Sequence, residues 1–372
     1  MTRGGTLGPV SSAAVEAVAR AFAVPEGPVR VERLGQGHIH ETFLATIAGG
    51  ARRVVLQRVH TGIFREPERL MENVARVTAH LHATLAREGA ADRARRALSL
   101  VSARDGRLFH RDAQGGFWRC FEFIERTRAL ETAADPREAF EAARAFGHFA
   151  AALADLAGPP LFEVIPHFHD LPRRLAALET ALRGDPHGRA REVASEADAA
   201  RAAAERVARA LARTGTLPRR TVHNDCKLNN VLLDARSGEG LCVIDLDTVM
   251  EGSVLADFGD LVRTAACPAA EDERDLARIR LDPARFEALA RGYLAGSGGL
   301  LEPAELAALP LAGPLLALET GVRFLTDHTE GDVYFRIHRP AHNLDRARAQ
   351  LRLATLLLDA LPTTEVLMRG RC

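Results

Sequence analysis

The beginning of the chain alternates apolar and polar residues in short runs. Residues 29–59 alternate with a period of two around two glycine-bearing turns, which predicts two or three antiparallel strands. Residues 67–89 place apolar side chains at helical spacing instead, and further strand-like runs follow at 99–112 and 117–125. With a short helix predicted at about 11–23, this order of elements indicates a small α+β lobe.

The pattern changes after this lobe. Residues 139–156 form an amphipathic, alanine-rich helical run, and helical periodicity returns over roughly 172–213. A strand-rich island at about 221–247 interrupts the helices, which then continue to the end of the chain. We therefore predict two domains, residues 1–126 and 127–372. A small β-rich lobe ahead of a large helical lobe that carries a β island is a kinase-like plan.

Composition excludes several classes of function. The 372 residues carry no formal net charge, which argues against binding to nucleic acid or to anionic membranes. No uninterrupted apolar stretch of about 18 residues is present, and the N-terminus lacks the apolar core of a secretory signal. The five cysteines are scattered without CxxC spacing, which argues against a disulfide framework or zinc site. We expect a cytoplasmic protein with no nucleic-acid or membrane partner.

The strand-rich island carries the polar residues with the clearest chemistry. Two apolar runs flank the turn sequence RSGEG, which predicts a β-hairpin. Asp225 precedes the hairpin, Asn230 stands at its start, and Asp245 stands at its far end. Phosphoryl transfer from ATP needs one carboxylate that accepts a hydroxyl proton, together with oxygen ligands for Mg²⁺. This spacing suits that reaction.

One residue type is nearly missing from the chain. Among the 49 lysine and arginine residues, Lys227 is the single lysine, and it lies between Asp225 and Asn230. Its ammonium group is a compact point charge with three donors, whereas an arginine offers a rigid planar fork. The position indicates a charge that meets phosphate and metal at close range.

The segment HNDCKLNN at 223–230 matches the HxDxxxxN catalytic loop of the aminoglycoside phosphotransferase and choline kinase superfamily, which is related to protein kinases. Within it, the chain most resembles the N-acetylhexosamine 1-kinase group. The likeness covers nearly the whole chain and runs through GQGHIHETF, VVLQRVHTGIFREPERLMENV, VIDLDTVMEGSVLADFGDLVR and RFLTDHTEGDVYF. It implies a protein-kinase-like bilobal α+β fold, with ATP and Mg²⁺ as cofactors.

The resemblance implies roles for the residues of the island. Asp225 takes the place of the catalytic base, and Asn230 and Asp245 take the places of the Mg²⁺ ligands. Asp247 is a candidate for a second contact at the metal site. Lys227 is expected to touch the γ-phosphate of ATP.

Two further residues are expected to support the loop. His223 more naturally braces the loop backbone than transfers protons. Asp257-Phe258-Gly259 spells the DFG motif of protein kinases, yet it lies too far beyond Asp225 for the metal-binding step. Asp257 instead resembles the structural aspartate that holds the catalytic loop in this superfamily.

The first lobe departs from the general kinase pattern. Protein kinases anchor the phosphates with a lysine on the third strand, paired with a glutamate in the following helix. The strand VVLQR offers Gln57 or Arg58 in its place, and we favour Gln57, because strand alternation lets only one of them face the nucleotide. Glu72 is the expected helix partner, ahead of Glu68.

Two other segments of this lobe are expected to bind nucleotide. Gly35 and Gly37 cap a hairpin and allow backbone amides to approach phosphate without a Cβ clash. The segment FEFIE at 121–125 is the expected hinge, where adenine would bond to the backbone.

The acceptor is indicated by a polar segment late in the chain. The resemblance implies that Arg323 and Tyr334 contact a sugar, and His38 is a further candidate. The mixture of donors, acceptors and one aromatic face suits an uncharged polyhydroxylated ligand. We therefore expect transfer to the anomeric hydroxyl of N-acetylglucosamine or N-acetylgalactosamine.

Two alternative functions and the oligomeric state remain open from the sequence. One is another small alcohol as acceptor: an aminoglycoside, a plain hexose, homoserine or choline. Another is a catalytically silent nucleotide-binding module, suggested by the absent lysine of the first lobe. The chain is compatible with either a monomer or a homodimer.

Overall fold

The computed structural model describes residues 10–35 and 39–369, with only the backbone of Arg369. The chain divides into two compact units. Of the described residues, the β-rich unit holds those up to Thr127 together with Leu161–Ile165, and the helical unit holds Arg128–Pro160 and those from Pro166 onward.

The described part of the β-rich unit contains one five-stranded sheet and three α-helices. In chain order its elements are α1 (Ser12–Ala21), β1 (Val29–Arg33), β2 (Glu41–Ile47), β3 (Arg52–Val59), α2 (Pro67–Arg87), α3 (Arg93–Arg96), β4 (His110–Arg111) and β5 (Phe117–Glu122). The strand order is β1-β2-β3-β5-β4, and every pairing is antiparallel. The predicted meander and the long helix are thereby confirmed.

One predicted strand is largely wrong. The run at 99–112 forms only the two-residue strand β4, together with single bridges from Leu100 to Phe121 and from Ala103 to Phe22. The glycine at 106 has a φ of +86°, and a tight turn there brings Ala103 and Arg107 together by a backbone hydrogen bond of 2.7 Å. The turn interrupts the alternation before a continuous ladder can form.

The two faces of the sheet have different environments. Val54 and Leu56 of β3 point to the face that packs with Val15 and Val18 of α1 in the core cluster. Because side chains alternate along a strand, Gln57 points to the opposite face. There its side chain bonds Thr42 of β2 and Arg119 of β5.

The segment Leu161–Ile165 contacts the β-rich unit at helix α2. The Asn73 amide donates to the carbonyl of Phe162 at 2.8 Å and accepts from its N–H at 3.0 Å. The guanidinium of Arg69 lies over the Phe162 ring, 4.7 Å from its centroid. Side chains one helical turn apart on α2 therefore fix both the backbone and the ring of Phe162.

The described part of the helical unit combines nine further helices longer than four residues with small sheets. Its elements are β6 (Thr127–Ala129, starting at the last residue of the β-rich unit), α4 (Pro136–Ala152), α5 (Leu171–Gly184), α6 (Ala194–Leu211), β7 (Arg220–Val222), β8 (Val231–Asp234), β9 (Gly240–Val243), β10 (Met250–Gly252), α7 (Val254–Ala265), α8 (Pro283–Ser297), α9 (Pro303–Ala308), α10 (Ala312–Thr329), α11 (His342–Asp359) and α12 (Leu361–Arg369). β8 and β9 form the predicted hairpin, and β7 pairs with β10.

Helices α4 and α8 pack backbone against backbone. A Cβ added at Gly292 would lie against the carbonyl of Phe140, and one at Gly296 would lie against the carbonyl of Arg144. On the α4 side, a Cβ at Gly147 would collide with the carbonyl of Tyr293. Glycine on both helices therefore permits an approach that any side chain would prevent.

Within residues 10–35 and 39–369, one apolar stretch could cross a membrane by length and composition alone. It is Pro303–Thr329, which comprises α9, α10 and the turn between them, and 78% of its most apolar window is buried inside the molecule. A stretch covered to this extent by its own protein behaves as the core helix of a globular domain.

We expect Gly296→Ala to lower the free energy of unfolding by about 1–3 kcal/mol, because the new methyl group meets backbone that cannot move aside. Urea unfolding of the purified protein measures this change. Gly184→Ala at the end of α5 is the matched control, since no atom lies within 4 Å of its Cβ position. That variant should be neutral or more stable by up to about 1 kcal/mol; equal effects of the two would contradict the packing argument.

Candidate active site

The loop between β7 and β8 is tied to α7 by a buried carboxylate. Asp257, fully buried, accepts the backbone N–H of His223 at 3.0 Å on one oxygen and that of Asn224 at 2.7 Å on the other. Burial raises the pKa of the Asp257 carboxyl, against the effect of these donors. The contact places Asp257 where a loop-holding aspartate was expected.

His223 braces the loop from within. Its Nδ1 lies 3.3 Å from the backbone nitrogen of Asp225, and its Nε2 lies 3.0 Å from the carbonyl oxygen of Ile244. The ring also packs edge-on against Phe146 and Phe149 of α4. A neutral imidazole that accepts at Nδ1 and donates at Nε2 satisfies both contacts.

Asp225, Lys227 and Asn230 meet directly. The Lys227 Nζ lies 3.0 Å from Asp225 Oδ2, and the Asn230 amide donates to the same oxygen at 3.0 Å and to the Asp225 carbonyl at 2.8 Å. Asp225 and Lys227 keep 26% and 36% of their side-chain surface exposed. The carboxylate is therefore positioned by two donors while part of it faces solvent.

Charge at this site stabilises the ionised carboxylate. Burial acts to raise the pKa of Asp225, but the nearby Lys227 ammonium outweighs it, and the pKa of Asp225 falls below its usual value. In return the Asp225 carboxylate, with smaller effects from Asp245 and Asp260, raises the pKa of Lys227. Both groups are therefore charged at neutral pH.

Oxygen ligands suited to a hard cation follow the hairpin. Asp245 adopts a left-handed backbone conformation with φ of +61°, which is uncommon for a residue other than glycine. Carboxylate oxygens of Asp245 and Asp247 approach within 4.8 Å of each other. Because the Asn230 amide nitrogen is bonded to Asp225, its carbonyl oxygen is the atom that remains for a cation. This donor set of two carboxylates and one amide oxygen fits Mg²⁺.

The predicted nucleotide residues of the β-rich unit are only partly brought together. Gly35 has a φ of +73°, a conformation that favours glycine, whereas Gly37 and His38 lie outside the described residues. Gln57 bonds Thr42 and Arg119, while Glu72 is exposed on α2. No contact joins Gln57 to Glu72 in the described part of this unit.

Arg58 and Glu68 have other partners. Arg58 lies on the opposite face of the sheet from Gln57 and pairs with Glu41 at 3.3 Å. Glu68 pairs with Arg111 of β4. These contacts leave Gln57 as the candidate on its face of β3.

The predicted acceptor residues lie close together in the helical unit. Arg323 of α10 lies over two rings, 5.8 Å from the centroid of Phe168 and 5.3 Å from that of Phe335. Tyr334 packs edge-on against Phe335 at 4.8 Å and is 37% exposed.

A second buried aspartate holds the loop that carries Tyr334. Asp327 accepts the backbone N–H groups of Val333, Tyr334 and Phe335 at 2.7–2.9 Å and the amide of Asn343 at 2.8 Å. Four donors on one carboxylate fix the loop directly after α10. Asp327 belongs to the polar segment late in the chain, but its position in the sequence alone does not indicate this structural role.

The model of the phosphotransferase enzyme family (APH) matches residues 30–306. The chain belongs to this family. The matched range includes the catalytic loop and the residues suited to a cation, and it ends before α10. In this phosphotransferase the predicted catalytic and metal-binding residues therefore lie inside the matched range, while the predicted acceptor residues Arg323 and Tyr334 lie outside it.

Solved structures of similar fold cover nearly the whole chain. A spectinomycin phosphotransferase in complex with ADP and spectinomycin aligns with a TM-score of 0.59 and 10% identity, over 96% of this chain and 99% of that one. Choline kinase from Cryptosporidium parvum gives 0.58 and 13%, over 97% and 99%, and an ethanolamine kinase from Plasmodium vivax gives 0.53 and 12%, over 87% and 82%. The predicted protein-kinase-like α+β fold is confirmed.

Sequence reasoning missed a group of residues beside the catalytic loop. His169 contacts the carbonyl oxygen of Asn224 at 2.9 Å through Nε2 and Glu319 at 3.0 Å through Nδ1. Arg174 of α5 donates to the carbonyl of Phe168 at 2.7 Å. The segment that carries Phe168 and His169 reads as a proline-rich connector, and only its two histidines and aromatic residues signalled a further role.

We expect Asp257→Asn to destabilise this phosphotransferase by about 1–3 kcal/mol, because the two N–H groups bond different oxygens and an amide can accept only one of them. Asp234→Asn is the matched control: there two backbone N–H groups bond one oxygen, which asparagine retains. Urea unfolding compares the two variants. Equal losses would show that the division between the two oxygens does not matter.

Proposed function

We propose that this phosphotransferase is a sugar kinase that transfers the γ-phosphate of ATP to the anomeric hydroxyl of an N-acetylhexosamine. The observation that carries the proposal is the direct meeting of Asp225, Lys227 and Asn230 in one loop, next to a cluster of arginine and aromatic side chains. The loop residues support phosphoryl transfer, and the arginine and aromatic cluster supports an uncharged sugar as acceptor.

Asp225 would act as the base. Its low pKa keeps it ionised at neutral pH, so that Oδ1 or Oδ2 can accept the proton of the acceptor hydroxyl. Its bonds to Lys227 and Asn230 fix its orientation before the acceptor arrives. Lys227, partly exposed and positively charged, would stabilise the negative charge on the transferred phosphoryl group.

Asn230, Asp245 and Asp247 would hold Mg²⁺ through oxygen atoms. When bound, the ion supplies neutralisation of phosphate charge during transfer. In the β-rich unit, Gln57 would donate to a phosphate oxygen in place of the usual lysine, and Gly35 would allow close approach of the backbone.

The acceptor would bind at Arg323 and Tyr334. Within the described part of the chain no hydrogen bond or ion pair of the Arg323 guanidinium is found, so its five N–H donors are open to hydroxyl and carbonyl oxygens. Two aromatic rings hold that guanidinium in place. The exposed ring of Tyr334 offers an apolar face for a pyranose.

Charge favours a sugar over the cationic alternatives. Burial and the nearby charge of Arg323 lower the pKa of Arg174, so the two guanidinium groups are close enough to interact. Two arginines repel a polycationic aminoglycoside or a quaternary ammonium such as choline. Glu319, whose charge also acts on Arg174, is paired with His169 and therefore offers such ligands little compensation.

The acceptor residues connect to the catalytic loop through short contacts. Arg323 lies over Phe168, and the adjacent His169 contacts the carbonyl of Asn224, the residue before Asp225. All of these residues belong to the helical unit. An acceptor held at Arg323 would therefore lie beside the proposed base.

We expect Asp225→Asn to lower kcat by about 10²–10⁴-fold, because an amide cannot accept the hydroxyl proton. ADP release measures turnover, and calorimetric titration should show that ATP still binds. Asp234→Asn, a partly exposed position on the same hairpin, is the control and should retain activity. Robust turnover of Asp225→Asn would rule out the proposed base.

We expect ADP release in a screen of acceptors to be highest with N-acetylhexosamines, ahead of plain hexoses, aminoglycosides, choline and homoserine. Arg323→Met keeps an apolar side chain between the rings and should raise KM for the sugar about 10–100-fold, with KM for ATP unchanged. Arg173→Met, an exposed position on α5, is the control.

Activity confined to acceptors other than sugars would refute the sugar assignment and leave phosphoryl transfer standing. No ADP release with any acceptor, in the presence of Mg²⁺, would favour a catalytically silent nucleotide-binding module instead.

A further inference from the structure

We propose that His169 and Glu319 are a positioning pair that holds the catalytic loop by the carbonyl of Asn224, and that the pair does so only while it retains a shared proton. His169 lies in the connector before α5, and Glu319 lies on α10. The distances are 2.9 Å from Nε2 to the Asn224 carbonyl oxygen and 3.0 Å from Nδ1 to Glu319 Oε1. Neither residue belongs to the proposed base, metal ligands or acceptor contacts.

The partners of the ring determine how many protons the pair needs. A carbonyl oxygen only accepts hydrogen bonds, so Nε2 must carry a proton toward Asn224. A second proton must lie between Nδ1 and the Glu319 carboxyl group, because otherwise a ring lone pair would face a carboxylate. A neutral imidazole and an ionised carboxylate have only one N–H proton between them. Both hydrogen bonds therefore form together only when the pair carries a second proton.

Asn224 is the residue through which such a pair would act. It adopts a left-handed conformation with φ of +64° immediately before Asp225. Its N–H bonds Asp257, its side-chain amide donates to the carbonyl of Thr248 at 3.0 Å, and its own carbonyl bonds His169. Three hydrogen bonds thus hold Asn224, and the one from His169 holds the carbonyl of the peptide group that joins Asn224 to Asp225.

Loss of that bond would let the Asn224–Asp225 peptide rotate. Asp225 would keep its contacts with Lys227 and Asn230, but its direction relative to an acceptor would be less well defined. A misplacement of this kind lowers kcat more than it changes the binding of ATP.

The charges around His169 favour the protonated pair. Glu319 is the acidic group in contact with the ring, while Arg323 on the same helix and Arg174 on α5 contribute positive charge nearby. On the far side of Asn224, Asp257 is a buried carboxyl. Burial acts to lower the pKa of His169, but the bond to Glu319 and its charge outweigh burial, so the pKa lies above its usual value.

The sign of the pH effect follows from that direction. A histidine whose pKa is raised by folding contributes its full stabilisation below its unfolded pKa of about 6.5 and loses it as pH rises through the folded pKa. Loop positioning should therefore fail on the alkaline side. The ionisation of Asp225 acts on the acid side, so the two effects are separable in a pH profile.

Glu319→Gln separates this role from simple packing. The glutamine amide can donate to Nδ1 of a neutral ring, and Nε2–H can still donate to Asn224, so both bonds form without the extra proton. We expect the alkaline decline of kcat to disappear in this variant while KM for ATP stays unchanged. An alkaline decline in Glu319→Gln that is identical to wild type would overturn the proposal.

The pKa of His169 can be followed directly by NMR of the full chain labelled at histidine rings, which needs no acceptor and so remains decisive if the sugar assignment fails. We expect His169 to titrate above 6.5 in the wild type and to move downward in Glu319→Gln. Titration of wild-type His169 at or below 6.5 would refute the shared proton.

Kinetics of His169 variants test the positioning role itself, which rests on the proposed phosphoryl transfer. His169→Leu should lower kcat about 10–100-fold at every pH, since the bond to Asn224 is lost. His169→Gln keeps one donor for Asn224 and should recover part of that loss without a pH dependence from this site. His148→Gln, an exposed histidine of α4, is the matched control. Unchanged kcat in His169→Leu would overturn the proposal.

Discussion

The buried carboxylate of Asp257 is the constraint on which the catalytic loop depends. It draws the N–H groups of His223 and Asn224 onto α7, and it thereby stabilises the left-handed conformation of Asn224. Buried backbone N–H groups need hydrogen-bond partners, so a carboxylate that accepts two of them holds the loop in one shape. His223, whose ring packs edge-on against Phe146 and Phe149, supports the backbone of the same loop.

Lysine and arginine occupy different surroundings in this molecule, and each suits the shape of its charged group. Lysine occurs once, against Asp225, where a compact ammonium can approach both the carboxylate and a phosphate. Arginine stacks on rings, as at Arg323, or bridges two carboxylates, as Arg263 does with the buried Asp260 and the exposed Glu271. The compact ammonium and the planar guanidinium therefore make contacts of different geometry.

The sequence correctly predicted those features that depend only on residues close together along the chain. The hairpin of β8 and β9, the helix α2 and the spacing of Asp225, Asn230 and Asp245 are each determined within a few neighbouring residues. It failed for the strand expected at 99–112, because the turn at Gly106 broke a pattern that periodicity alone reads as continuous. It also missed His169 and Glu319, which lie 150 residues apart along the chain and meet only in the folded unit.

The sequence by itself determined the kind of reaction, because the order of His, Asp, Lys and Asn in one loop is a covalent property of the chain. The alternation of β3 likewise determined that Gln57 and Arg58 face opposite sides of the sheet. Only the tertiary structure decided which partners those side chains have, with Gln57 bonded to Arg119, Arg58 to Glu41, and the loop carbonyl of Asn224 to His169. Such contacts depend on how distant helices and strands pack, and that packing is a collective result of the whole core rather than of any local segment.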